Sequence, residues 1–258
     1  MKSGIILALV NNKGGVAKST TAINLAARLA ERDRVLLLDL DSQASASLGL
    51  GVPRVDLSPS IADVIFGGQT VRAVARQTEV PNLDLVTGSV DLANADLELA
   101  DMKGQESRLR DALANARANY GFTIIDCPPS LSLLSINALV ASDYFVVPIN
   151  PHYLALEGLV GLLAAVERIR GGIGQVADLL GILFTMVDAR PKAAAEIKSM
   201  VRSHYGALVL KSEIPLTTKI AEAPSFGRTI YEHAASSKGA EAYRTAADEI
   251  RRKALRAS

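Results

Sequence analysis

The chain has 258 residues, 49% of them hydrophobic, and a net charge of +1. That size and apolar content suit one large α/β domain better than two small ones. One cysteine, Cys127, excludes a disulfide framework and a clustered thiolate metal site, and the charged residues that interrupt every long apolar stretch exclude a membrane span.

The apolar run at residues 5–10 predicts a first strand. It is too short for the core of a signal peptide, so a cytoplasmic location is expected. The run leads into Lys13-Gly14-Gly15-Val16-Ala17-Lys18-Ser19 and then a helical pattern over 20–31. Strand, Gly-rich turn and helix is the layout that cradles phosphate, because turn N–H groups and the helix N-terminus converge on the anion. Lys18 can reach the outer phosphates, and the Ser19 hydroxyl can sit on Mg²⁺. A match to K-G-G-x-x-K-[ST] arises by chance in such a chain about once in a thousand or less. The general form of this loop has glycines at 12 and 17; here Asn12 and Ala17 stand there, and a second lysine, Lys13, opens the loop.

Residues 34–39 predict a second strand, which runs into Asp39-Leu40-Asp41-Ser42-Gln43. Further strands are expected at 83–86, 122–125, 144–149, 179–186 and 208–210, with helices at 92–102, 106–120, 131–141, 154–170, 192–204 and 239–255. The strand runs are nearly continuous in hydrophobicity, as in strands buried on both faces. Alternating strands and helices predict a mostly parallel, twisted sheet with helices on both faces, and ligands on such sheets bind at the carboxyl ends of the strands. Asp126-Cys127-Pro128-Pro129-Ser130 falls at such an end. Asp126 suits the Mg²⁺ shell, since Mg²⁺ prefers hard oxygen ligands; the alternative is a helix N-cap or turn residue, and the neighbouring phosphate loop favours the metal. Asp39 and Asp41 share one side of an extended segment. Cys127 reads as a small buried filler, and His152, His204 and His233 are too scattered for a metal site.

Charge is unevenly spread. Residues 1–185 carry 15 Lys/Arg against 19 Asp/Glu, and residues 186–258 carry 13 against 8. The basic C-terminal portion hints at a polyanionic partner, with a solvated helical surface as the plainer alternative. No tryptophan is present and aromatics are 4%, which argues against a base-stacking platform for single strands.

The loop resembles the deviant Walker A motif of the ParA/MinD family of ATPases. Pro128-Pro129, Asn137-Ala138-Leu139, Val147-Pro148, Met186-Val187-Asp188-Ala189-Arg190, Ile214-Pro215, Glu222-Ala223-Pro224-Ser225 and Ser237-Lys238-Gly239-Ala240-Glu241-Ala242-Tyr243 extend the resemblance over most of the chain and toward the ParA/Soj partition branch. The resemblance implies a single P-loop NTPase domain over 1–258 without an N-terminal helix-turn-helix domain, and ATP with Mg²⁺ as cofactors. It implies catalytic roles for Lys13, Lys18 and Asp41: Lys13 resembles the lysine that reaches the partner's nucleotide across a dimer, Lys18 the ordinary loop lysine, and Asp41 the aspartate that orients the attacking water. Nucleotide contacts are implied for Lys13, Gly14, Gly15, Val16, Ala17, Lys18, Ser19, Thr20, Met186, Asp188 and Pro215, and metal contacts for Ser19, Asp41 and Asp126. Asp39 is either part of the switch or an anchor for its loop, and Ser42 stands where the family usually has proline.

For the short branch the resemblance implies an ATP-dependent homodimer that binds double-stranded DNA without sequence preference, at the nucleoid, and a ParB-type adaptor that stimulates hydrolysis. Arg190 and Lys219 fall where the family's DNA-contacting residues lie; Lys198, Arg202 and Lys211 are further candidates from the same basic portion. A positioning ATPase for another cargo would use the same chemistry. A membrane-attached MinD-like protein is disfavoured, because residues 246–258 carry only Ile250 and Leu255 as large apolar side chains. An iron–sulfur carrier is disfavoured by the single cysteine.

Overall fold

The computed structural model describes residues 4–188 and 190–257, and of Tyr153 and Leu154 the backbone alone. Ala189 and Ser258, which fall in stretches singled out above, lie outside the described residues. Eight strands form one sheet: β1 (Ile5–Leu9), β2 (Val35–Asp39), β3 (Arg76–Gln77), β4 (Leu83–Val86), β5 (Phe122–Asp126), β6 (Tyr144–Ile149), β7 (Asp178–Val187) and β8 (Val209–Pro215). Their spatial order is β3-β4-β2-β5-β1-β6-β7-β8. Every pairing is parallel except β3 with β4. The helices are α1 (Lys18–Ala30), α2 (Ser45–Gly49), α3 (Ile61–Ile65), α4 (Val71–Val74), α5 (Ala95–Ala100), α6 (Arg108–Leu113), α7 (Leu133–Ala141), α8 (Tyr153–Ile173), α9 (Lys192–Tyr205), α10 (Thr218–Glu222), α11 (Ile230–His233) and α12 (Lys238–Ala257).

Strand parity explains the two-sided core. Successive side chains point to opposite faces, so Ile6, Ala8 and Val10 enter one apolar cluster while Ile5, Leu7 and Leu9 enter the other. Likewise Leu36 and Leu38 face the first cluster, and Val35 and Leu37 the second. The first is covered by α6, α7, α8 and α9 through Leu109, Leu139, Leu162 and Val201. The second is covered by α1 and α12 through Ile23, Leu25, Tyr243 and Ile250. The nearly continuous hydrophobicity of the strands follows from burial on both sides.

Three expectations need correction. The helix expected over 92–102 is a 3₁₀ turn, Val90–Asn94, followed by α5. The helix expected over 106–120 ends at Leu113, and the chain turns so that Arg117 donates to the Gly4 carbonyl (2.7 Å) and to both oxygens of Asp143 (2.7 Å each). Those tertiary bonds tie the starts of β1 and β6 and override local helix preference. The last strand runs over 209–215, not 208–210; exposed Lys211 and half-buried Glu213 alternate with buried neighbours, as on an edge strand with one wet face. Among the described residues no helix is long and apolar enough to cross a membrane.

Leu37 is fully buried in the middle of β2. Leu37→Ala is expected to lower the unfolding free energy by about 2–5 kcal/mol, read from denaturant titration, with no change in which nucleotide binds.

Candidate active site

The ends of β1, β2 and β5 meet in register: Leu9 pairs with Asp126, and Asp126 with Asp39. The phosphate loop leaves β1 here. Asn11 fixes its start, donating to the Pro148 carbonyl at the end of β6 (2.8 Å) and accepting from the Lys13 N–H (2.9 Å). Thr185 on β7 fixes its middle by donating to the Val16 carbonyl (3.0 Å). Neither anchor was evident in the sequence, because each acts across strands far apart in the chain. Two residues of the loop are left-handed, Gly15 (φ 71°) and Ala17 (φ 60°). Glycine adopts this conformation freely, whereas alanine does so at a cost. The general motif has glycine at 17, and the geometry shows why: the turn into α1 is made there. No side chain caps the α1 N-terminus, which leaves its N–H groups directed at the cradle.

Lys18 is buried, and its ammonium donates to the Lys13 carbonyl (2.9 Å), curling back over the loop. Burial lowers its pKa; the charges of Asp126 and Asp41 work against that shift. Gly14 is exposed, Val16 is buried, and Ser19 and Thr20 are half-buried at the start of α1. Lys13 takes another direction. Its side chain lies along α8, where a Cβ added to Gly158 would come within 2.7 Å of Cε and 3.0 Å of Nζ.

The three aspartates have distinct environments. Asp39 is fully buried and accepts from the Ser47 N–H (2.8 Å), the Ser47 hydroxyl (2.7 Å) and the Asp41 N–H (3.1 Å). It is an anchor for the loop, which decides between the two readings left open above. Burial raises its pKa to about 6, against the opposing pull of those hydrogen bonds. Asp126 is also fully buried, yet neither carboxylate oxygen accepts a hydrogen bond among the described residues. Burial and the neighbouring Asp39 raise its pKa well above the usual range; Ser19 is close enough to lower it, without hydrogen-bond geometry. A buried carboxylate with no donor is costly unless a cation faces it. Asp126 and Ser19 beside the phosphate cradle therefore fit a hard divalent cation such as Mg²⁺. Asp41 is half-buried, and its carboxylate accepts from the Gln43 N–H (2.9 Å), shaping the loop from within. Ala44, at the end of that loop, is left-handed (φ 54°).

Met186, the last residue but one of β7, is left-handed (φ 52°), Asp188 follows the strand, and Pro215 ends β8 paired with Val187. All three lie at the same edge of the sheet as the loop. The turn after α2 and the segment over 223–227 touch: a Cβ on Gly227 would sit 2.6 Å from the Gly51 Cα. The basic candidates divide. Arg190 and Lys219 follow the carboxyl ends of β7 and β8, each beside an acid: Arg190 binds Asp188 (2.6 Å), holding its carboxyl at about 2, and Lys219 binds Glu222 (3.1 Å). Lys198 and Arg202 on α9 share Glu213 (2.8 and 2.9 Å). Arg202 and Lys211 lie toward the opposite edge, so the five do not form one patch.

A parallel sheet with a phosphate loop between β1 and α1, and acidic strand ends beside it, defines a P-loop ATPase. A family model described as an AAA domain matches residues 4–176. The chromosome-partitioning ATPase Soj of Thermus thermophilus is 44% identical over 245 residues, covering 95% of this chain and 94% of that one. The chromosome partitioning protein ParA of Caulobacter vibrioides is 40% identical over 248 residues, covering 95% and 93%. A solved structure of cobyrinic acid a,c-diamide synthase from Mycobacterium smegmatis, with bound ATP analogue and magnesium, superposes with a TM-score of 0.85 at 33% identity, covering 99% and 97%. The chain belongs to the ParA/Soj family of chromosome-partition ATPases, and ATP and Mg²⁺ are the cofactors its site fits.

Two outcomes follow from this geometry. Ala17→Gly is expected to raise stability by about 1 kcal/mol by releasing the left-handed strain, measured by thermal or denaturant unfolding, with ATP affinity retained. Asp39, with a folded pKa near 6 against an ordinary 3.8, binds its proton more tightly when folded. Its contribution to stability is therefore greatest below about pH 4 and is lost as pH rises through about 6. Without nucleotide or metal, the Tm of the wild type relative to Asp39→Asn should fall across that window; a rise would mean the fold holds this carboxyl below its ordinary value.

Proposed function

We propose that this chain is a DNA-segregating ATPase in which two copies close over ATP, the closed dimer binds duplex DNA irrespective of sequence, and a ParB-type adaptor stimulates hydrolysis and release. The observation that supports this best is the loop with two lysines sent in different directions: Lys18 folds into its own cradle, while Lys13 leaves it and lies on the surface of α8 beside Gly158. In this reading one lysine serves the nucleotide of its own chain, and the other serves that of a second chain.

In this reading residues 14–20 hold the phosphates through backbone N–H groups and the α1 N-terminus. Lys18 exchanges its contact with the Lys13 carbonyl for the outer phosphates. Met186, Asp188 and Pro215 border the base. Ser19 and Asp126 hold Mg²⁺, with Asp41 near it; when bound, the cation neutralises charge on the phosphate oxygens. The Asp41 carboxylate accepts a hydrogen bond from the attacking water and aligns it for in-line attack, and the partner's Lys13 adds positive charge where negative charge spreads. Arg190 and Lys219 contact DNA phosphates, which gives affinity that is independent of sequence and falls with salt. Closing two chains together doubles that basic surface, so nucleotide state controls DNA binding at a distance. The protein acts in the cytoplasm, on the nucleoid.

The decisive measurement is binding to a random-sequence duplex with ATP, with ADP and without nucleotide, at several salt concentrations. Binding with ATP alone, weakened steeply by salt, is expected. No binding in any state, with ATP-driven dimerisation intact, would sink the DNA reading. Lys18→Ala should lose nucleotide binding. Asp41→Ala should bind ATP and DNA while turnover drops at least tenfold, a step of about 1.4 kcal/mol or more in the barrier, followed by phosphate release.

A further inference from the structure

At the opposite end of the sheet from the phosphate loop, a groove of about 820 Å³ runs between the start of β8 and the C-terminal half of α12. Five cationic residues line it, Arg202, Lys211, Arg252, Lys253 and Arg256, with a single carboxylate, Glu249. Glu249 is already engaged. It accepts from the Lys211 N–H (2.8 Å), the Ser212 N–H (2.9 Å) and the Ser212 hydroxyl (2.7 Å). Arg202 is tied to Glu213 and to the Leu210 carbonyl, and Lys253 donates to the Ala207 carbonyl (2.7 Å). Lys211, Arg252 and Arg256 are exposed, and among the described residues none of the three pairs with a carboxylate.

Elementary helix energetics do not account for this arrangement. A cation in the last turn complements the helix dipole, which explains Arg256. Lys211 stands on a strand and gains nothing from that dipole. Arg252 and Arg256 are four residues apart on one helical face, where like charges repel. Arg28, Arg34, Arg117 and Arg251 each meet an aspartate, whereas Arg252 and Arg256 meet no carboxylate among the described residues. The groove sets five cations against one carboxylate, and its length along β8 and α12 suits a chain of phosphates rather than one small anion.

We infer that this groove is a second binding site for the phosphate backbone of duplex DNA, separate from the Arg190 and Lys219 surface. The inference rests on the DNA reading above. The groove opens at the amino end of β8, whereas Arg190 and Lys219 follow the carboxyl ends of the strands. In a dimer closed through the nucleotide edges, the two grooves lie outermost and widen the footprint on DNA. Lys211, Arg252 and Arg256 make the contacts, and Arg202 and Lys253 form the basic walls.

The test compares the full chain with a triple variant, Lys211→Ala, Arg252→Ala and Arg256→Ala, and with a control that removes equal charge elsewhere, Arg54→Ala, Arg72→Ala and Lys103→Ala. Each is bound to a random-sequence duplex with ATP across a salt series, with dimerisation and Tm measured alongside. The expected result is at least a tenfold loss of affinity for the groove variant. Its dependence of log K on log salt should flatten by about two to three for each groove engaged. Dimerisation and Tm should hold, and the control should change affinity less than about threefold. Equal effects of the two variants, or a groove variant that binds like the wild type, would overturn the inference while leaving the DNA reading in place. A wild type that binds no duplex in any nucleotide state would overturn both.

Discussion

Two carboxylates buried side by side at the ends of adjacent parallel strands set the terms for the rest of the site. Asp39 and Asp126 are in register on β2 and β5, each fully enclosed. An ionised carboxylate in such surroundings must be met by donors or by a cation. Asp39 is met from within, by Ser47 and the Asp41 backbone, and so holds the switch loop in shape. Asp126 is left without a donor and faces the phosphate cradle. One sheet edge thereby supplies an acid satisfied by donors and an acid without them, side by side on adjacent strands and distinguished only by what surrounds them.

Most of the fold was legible in the sequence because burial on both faces writes long apolar runs, and seven of the eight strands were visible in that way. The eighth, Arg76–Gln77, is polar, two residues long and antiparallel at the sheet edge, so no apolar run marks it. The one-turn helices α2, α3, α4, α10 and α11 were also invisible. Pieces of four or five residues show no full period, and the capping boxes at Ser60 and Thr229 carry the signal instead. In the site, the loop was legible from local spacing alone. Asn11 and Thr185 were not, since each acts on a backbone group brought near by the sheet. Asp126 was read for the metal from its place at a strand end, whereas the place of Asp39 as a loop anchor emerged only from its bonds to Ser47 and the Asp41 N–H.

The basic character of the C-terminal portion was evident from a count, but its organisation was not. Glu213 gathers Lys198 and Arg202 into one cluster, and Asp188 holds Arg190. What the sequence presents as a single basic region is thus three neighbourhoods: the strand ends, the α9 flank and the α12 groove. Charge composition reports a sum, whereas recognition depends on which charges the fold leaves unspent.

Glu249 has a consequence beyond the groove. β8 is the last strand of the sheet, so its outer side presents backbone groups that no further strand among the described residues pairs. An open edge of this kind invites pairing with a strand of another molecule. By accepting the N–H groups of Lys211 and Ser212, Glu249 occupies part of that edge, and Pro215 removes one more donor at its end. The α12 carboxylate thereby disfavours pairing of this edge with a strand of another molecule.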